Sequence, residues 1–175
     1  MPVRPVLKIG HPILAEVAQK VTEFNTSELD SLIVDLRDTM HHLNGAGIAA
    51  PQIGVSKQVL IFEMKDNPRY PGQEVIPETV LINPAIDVLT EETQGMWEGC
   101  LSVPGMRGYV ERPTYIRYRA FDQYGNRIDK TVTGFHAIVV QHECDHLQGV
   151  LYPQRLQDLS KFGFEEDLLL RQDYP

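Results

Sequence analysis

Two cysteines in a chain of 175 residues are too few for a disulfide framework, so an ordinary apolar core must hold this protein together. Long hydrophobic runs are missing as well: nothing approaches the roughly 18 apolar residues that a membrane span requires. The leading stretch Met-Pro-Val-Arg-Pro-Val-Leu-Lys has no apolar segment of the secretory kind. Glu16 and Glu23 come too early for an Arg- and Ser-rich transit peptide, so a cytoplasmic location is expected. Positive charge is in the minority, with 16 Lys and Arg against 24 Asp and Glu. The resulting net charge of −8 repels phosphate backbones and anionic lipid, which argues against DNA or a membrane as direct partners. Repeats, low-complexity tracts and shifts of composition are absent too, so residues 1–175 read as a single domain.

What is present is a globular balance of 42% hydrophobic and 23% charged residues. Leu29, Leu32, Ile33, Leu36, Met40 and Leu43 fall at helical spacing, which predicts a helix from about Ser27 to Leu43. Thr26 and Ser27 are its N-cap candidates, and Asn44-Gly45 suits its stop. A shorter helix is expected at His11-Pro12. From Gln58 to Thr133 the texture is β-branched and aromatic. Strands are predicted at Gln58–Phe62, Thr79–Asn83, Gly108–Arg112, Thr114–Phe121 and Arg127–Thr133, with a hairpin connection at Asp122–Asn126 and an exposed loop at Lys65–Pro77. Helical pattern returns from Phe135 to Leu147, closed by Gly149, and a last helix, carrying Leu168, Leu169 and Leu170, is expected from about Leu159 to Gln172. The fold class is therefore α+β: strands packed around a central helix, with flanking N- and C-terminal helices.

That central helix carries His142-Glu-Cys-Asp-His146. Residues four apart on a helix stand one above the other, so both imidazoles can meet one cation, with Glu143 close enough to act on a water there. Phe135, Ile138 and Val139 put the helix in the core, where two unpaired histidines would be costly. A catalytic site needs a third protein ligand and an open position. Glu165 and Glu166 are one candidate pair, placed as in thermolysin-like proteases, but an acidic helix start explains them equally well. Cys100, within Glu98-Gly-Cys-Leu-Ser102, is favoured, because a thiolate beside a divalent cation is deprotonated outright. Cys144 points away on the helix, and Trp97 reads as packing. His11, His41, His42 and His136 are read as surface or satisfied-core residues rather than a fourth ligand. Gly45-Ala-Gly-Ile-Ala-Ala-Pro-Gln52 is small enough for close backbone approach, as a tight turn or as the lip of a site; the sequence leaves both open.

Taken together, Gly45–Gln52, Glu98–Ser102 and Gln141–Gly149 stand in the order and form of the peptide deformylase markers, and the resemblance runs over essentially the whole chain. Ile48 replaces the usual leucine, a swap that keeps volume. The resemblance implies a hydrolase that removes the formyl group from N-formylmethionyl nascent peptides, with transient ribosome contact left open. It implies one divalent ion, ferrous iron in the cell, with zinc, nickel or cobalt able to occupy the site. Its ligands would be Cys100, His142 and His146, with Glu143 as general base and acid. Gln52 (side chain) and Leu101 (backbone N–H) would be oxyanion donors. Gly47 and Gly99 would flank the peptide, Glu98 and Arg112 would pair behind the site, and Arg107 would meet the substrate's far end. Phe135, Ile138 and Val139 are expected to build the methionine pocket.

Overall fold

A computed structural model of the protein describes residues 3–175. Helix α1 spans Ser27–His42, and its buried stripe of Leu29, Ile33, Leu36 and Met40 follows the predicted spacing. The Thr26 side chain accepts from Leu29 N at 3.2 Å, and Asn44 at φ 53° turns the chain out of the helix. Strands β1 (Gly47–Ala49), β2 (Val59–Met64), β3 (Ile76–Val88), β6 (Tyr115–Phe121) and β7 (Arg127–Thr133) form an antiparallel sheet in the order β1-β2-β3-β6-β7. Strands β4 (Thr93–Cys100), β5 (Val103–Pro113) and β8 (Phe162–Phe164) form a second, three-stranded sheet in that order.

Strand β2 shows why the larger sheet is covered on both faces. Val59 and Ile61 pack with α1, while Leu60, Phe62 and Met64 join the cluster of Ala137 and Val140 on α2 (Gly134–Leu147). Alternate residues thus serve two cores, and the strand reads as a continuous apolar run. Helix α2 rests on the larger sheet and turns the side that carries His142 and His146 toward β4 and β5. Ahead of α1, the leading segment runs across several elements. Leu7 N donates to Gln52 O (2.8 Å), Ile9 N to Ser102 O (2.8 Å) and Ala18 N to Leu147 O (2.9 Å).

Four expectations need correction. The last helix is only Glu165–Leu168 (α3), preceded by a 3-10 turn at Leu159–Lys161 and by β8, which pairs with Met106–Gly108 of β5. Leu168 alone of the leucine run is buried, so residues 168–170 are not an amphipathic face. At His11-Pro12 the chain makes one 3-10 turn, Pro12–Ala15. Strand β3 continues past Asn83 to Val88, because a register shift between Ile82 and Ala85 absorbs Asn83 (φ 51°) and Pro84. Strand β4 was not anticipated, since Gly95 and Gly99 lower its β propensity. A side chain at Gly95 would collide with the Tyr109 ring, so close packing selects glycine there.

Candidate metal centre and catalytic cleft

Each group of the site comes from a different local device. Cys100 is the last residue of β4, where the Cys100–Val103 pairing closes a tight connection into β5. His142, Glu143 and His146 lie along one side of α2. Gln52 sits in a 3-10 turn, Ala50–Ile53, directly after β1. The folding of these segments brings one donor atom each from Cys100, His142 and His146 within 4.8 Å of one another, all three buried. Cys100 Sγ lies 3.3 Å from His146 Nε2.

The buried groups of the set fix one another's charge. Burial alone would push the Cys100 thiol up, but the facing His146 and His142 rings hold it well below its ordinary range. Burial likewise opposes charge on His142, yet contacts with Cys100 and Glu98 raise its ring well above the usual value. Glu98 Oε1 takes His142 Nδ1 at 2.7 Å, which fixes the ring and leaves its other nitrogen to the donor set. Arg112 grips the same carboxylate with Nε at 2.6 Å and Nη2 at 3.0 Å. Against the pull of burial, His142 and Arg112 keep the Glu98 carboxyl at about 2. Glu143 Oε2 and His146 Nδ1 are buried with no hydrogen-bond partner among the described residues. A soft thiolate with two imidazoles is a donor set that divalent iron and zinc both accept, so these residues fit such an ion.

Glu143 faces Gly47. A side chain at Gly47 would come within 2.7 Å of the Glu143 Cδ, so the glycine leaves room for this carboxyl. Burial raises the Glu143 carboxyl above its ordinary value, more than the nearby His142 and His146 lower it. Of the two readings left open for Gly45–Gln52, the structure has the lip: Gly47, on edge strand β1, and Gln52, in the turn after it, line the cleft, and among the described residues β1 pairs only with β2. Gln52 Oε1 accepts from Ala49 N (2.8 Å), so its Nε2 points inward to Ser102 Oγ (3.1 Å) and Cys100 Sγ (3.5 Å). Leu101, Gly99, Phe135, Ile138 and Val139 also line the cleft.

Arg107 stands apart from that lining. It is buried beside Gly99, donates to Arg69 O (2.9 Å) and Trp97 O (3.4 Å), and lies 4.7 Å over the Tyr70 ring. Glu165 sits 3.6 Å from Arg107 and Glu166 is likewise outside the Cys/His/His group, so neither takes the third-ligand place. Cys144 is half-buried on the far side of α2, and burial drives its thiol up. Trp97 packs edge-on against Tyr109 and Tyr174. His41 pairs with Glu63 and His136 with Tyr118; none of the four outlying histidines joins the donor set.

The polypeptide deformylase family model matches residues 3–162. This chain belongs to that family. Peptide deformylase 1 of Nitrosomonas europaea is 58% identical over 95% of this chain and 94% of its own length. Peptide deformylase 2 of Ralstonia nicotianae is 56% identical over the same shares. Among solved structures, the class I type b peptide deformylase of Acinetobacter baumannii with Met-Ala-Ser bound matches with a TM-score of 0.86 at 40% identity. That match covers 89% of this chain and 99% of the other. By membership the chain is an enzyme, a peptide deformylase and so a metal-dependent hydrolase, and Gly47, Gln52, Cys100 and Glu143 line one cleft. Among the described residues no helix is long and apolar enough to cross a membrane.

Three residues that bear on these groups were not anticipated. Ser102, fully buried, accepts from Gln52, and its place in the Glu98–Ser102 stretch was the available signal. Tyr70 bridges Gly99 through its hydroxyl, accepting from Gly99 N (3.1 Å) and donating to Gly99 O (3.2 Å). It lies in the stretch read as an exposed loop, where no pattern marks it. Asp145, inside the helical motif, takes Arg112 Nη1 at 3.0 Å.

Proposed function

We propose that residues 1–175 work as one peptide deformylase domain that removes the formyl group from N-formylmethionine of newly made polypeptides. The observation that carries this reading is Glu143: a buried carboxyl with one oxygen unpartnered, beside a Cys/His/His donor set and against a glycine. Support for the substrate comes from the Acinetobacter neighbour, whose bound Met-Ala-Ser begins with the methionine that a deformylated product would show.

Cys100, His142 and His146 would hold one divalent ion, ferrous iron in the cell, with zinc, nickel or cobalt able to replace it. When bound, such an ion supplies Lewis acidity and can lower the pKa of a water from 15.7 to about 7. Glu143 takes a proton from the attacking water as its oxygen bonds to the formyl carbon. It then delivers that proton to the departing amine as the C–N bond breaks, leaving formate and a free N-terminus. The raised basicity that burial gives Glu143 suits both transfers. Gln52 Nε2, aimed inward by the Ala49 contact, and the Leu101 N–H donate to the developing oxyanion. Phe135, Ile138 and Val139 receive the methionine side chain, and the peptide runs between Gly47 and Gly99, along the free edge of β1. Arg107, buried behind that groove, acts on the far end of the peptide by supporting Tyr70 and the Arg69 carbonyl at its rim. A cytoplasmic location and transient ribosome contact accompany such a substrate.

Glu143→Ala is the test. Metal content is expected to match the parent protein while turnover of formyl-Met-Ala-Ser falls by about 100- to 10,000-fold. Undiminished turnover in that variant would remove Glu143 from the mechanism. No deformylation by the metal-loaded parent would overturn the function itself.

A further inference from the structure

Just past α2 the chain doubles back. Gly149 adopts φ 73°, and a side chain there would sit 2.6 Å from the Ala15 backbone, so only glycine makes this bend. The bend delivers a single 3-10 turn, Tyr152–Arg155, against the outer side of the donor set. Two of its residues bear on the same ligand by different routes. Tyr152, only 1% exposed, lays its ring parallel to His142, at 6.1 Å between centroids and 25° between planes. Arg155 forks onto Asp145, with Nη2 at 2.8 Å from Oδ1 and Nε at 3.1 Å from Oδ2. Asp145 Oδ2 also takes Arg112 Nη1, Arg112 grips Glu98, and Glu98 takes His142 Nδ1. Charges alternate along this ladder, and side-chain exposure falls from 50% at Arg155 through 13% and 5% to 3% at Glu98.

We propose that the turn Tyr152–Arg155 is a positioning element for the His142 ring. Tyr152 holds the face of the ring, and Arg155 acts through Asp145, Arg112 and Glu98 on its Nδ1. Arg155 closes the outer end of the ladder: without it, Asp145 keeps one guanidinium partner and is free to turn toward water, which loosens Arg112 and then Glu98. An exposed Arg–Asp pair with no such connection contributes little, whereas groups that orient a ligand imidazole tune metal retention. The inference rests on the reading of His142 as a metal ligand.

The experiment follows cobalt(II) in the loaded protein: its release rate to a chelator, and the visible absorption band of the bound ion. Arg155→Ala is expected to release cobalt about 3- to 10-fold faster than the parent, short of the roughly 10–100-fold typical when a direct partner is removed. Arg155→Lys falls between, because an ammonium cannot reproduce the fork. Tyr152→Phe keeps the ring and behaves as the parent, while Tyr152→Leu shifts the band and speeds release. Parental release and spectrum in both Arg155→Ala and Tyr152→Leu overturn the proposal, even if their melting temperatures drop. Should Tyr152→Leu fail to fold, Arg155→Ala decides alone, since its half-exposed side chain leaves the core intact. Cys100→Ala is the control: if it binds cobalt as the parent does, the ligand assignment has failed rather than the positioning role.

Discussion

Hairpins β4–β5 and β6–β7 are built on the same antiparallel ladder, yet they spend their side chains differently. In the β6–β7 hairpin, β6 alternates cleanly: Ile116, Tyr118 and Ala120 face the core, while Arg117 and Arg119 face solvent, where they pair with Asp129 of β7 and with Asp87 of β3. In β4–β5 the charged Glu98, Arg107 and Arg112 are buried, and Gly95, Gly99 and Gly108 interrupt both strands. Glycine and buried charge weaken a hairpin taken alone. Here they make room for the Tyr109 and Tyr152 rings and carry the carboxylate that orients His142. A strand serving only the fold can obey its local preferences; one that serves a site has to break them.

This contrast can be tested from its strong end to its weak end. Glu98→Ala leaves the buried Arg112 without its bidentate partner, and an unfolding midpoint in urea should report a loss of about 3–5 kcal/mol. Release of bound zinc, followed by chelator titration, should quicken by about 10–100-fold in the same variant. Gly108→Ala would press a methyl to within 2.7 Å of Leu156 and 3.1 Å of Tyr152. A cost of about 1–3 kcal/mol is expected by the same measurement. His136 tests the core behind β6. Burial lowers its ring below the ordinary 6.5, and its Nε2 sits 3.2 Å from the Tyr118 hydroxyl. The unfolded chain therefore binds that proton more readily, so stability should fall as pH drops below 6.5 and be unaffected above it. His136→Gln should flatten that slope in thermal melts at pH 5 to 7. Arg117→Ala, on the solvent side of β6–β7, should leave melting temperature and turnover unchanged; a clear loss would blur the contrast between the hairpins.

The same division explains what could be read from the sequence. Helices α1 and α2 were legible because their apolar spacing, Thr26 cap and Gly149 stop agree with the tertiary structure. The β6–β7 hairpin was legible for the same reason, with Asp122 Oδ1 accepting from Tyr124 N and Asn126 N across its turn. The Cys100, His142 and His146 group was legible because metal chemistry restricts residue types so tightly. Hidden were the features that depend on distant partners. Gly95 looks like a strand breaker until Tyr109 is seen across it, and Tyr70 looks like loop until its hydroxyl meets Gly99. The leucines at 168–170 looked helical because hydrophobicity was read without its period. Only Leu168 has a core to enter.

The leading segment has a consequence for the order of events during synthesis. Ala18 N is bonded to the carbonyl of Leu147, and Leu7 N and Ile9 N to those of Gln52 and Ser102. A segment made before α1 therefore finds its hydrogen-bond partner for Ala18 only after α2 has been made, one residue past His146. A polypeptide stalled short of α2 can fasten the strap at Gln52 and Ser102 but not at Leu147, and lacks both imidazoles of the donor set until the helix arrives.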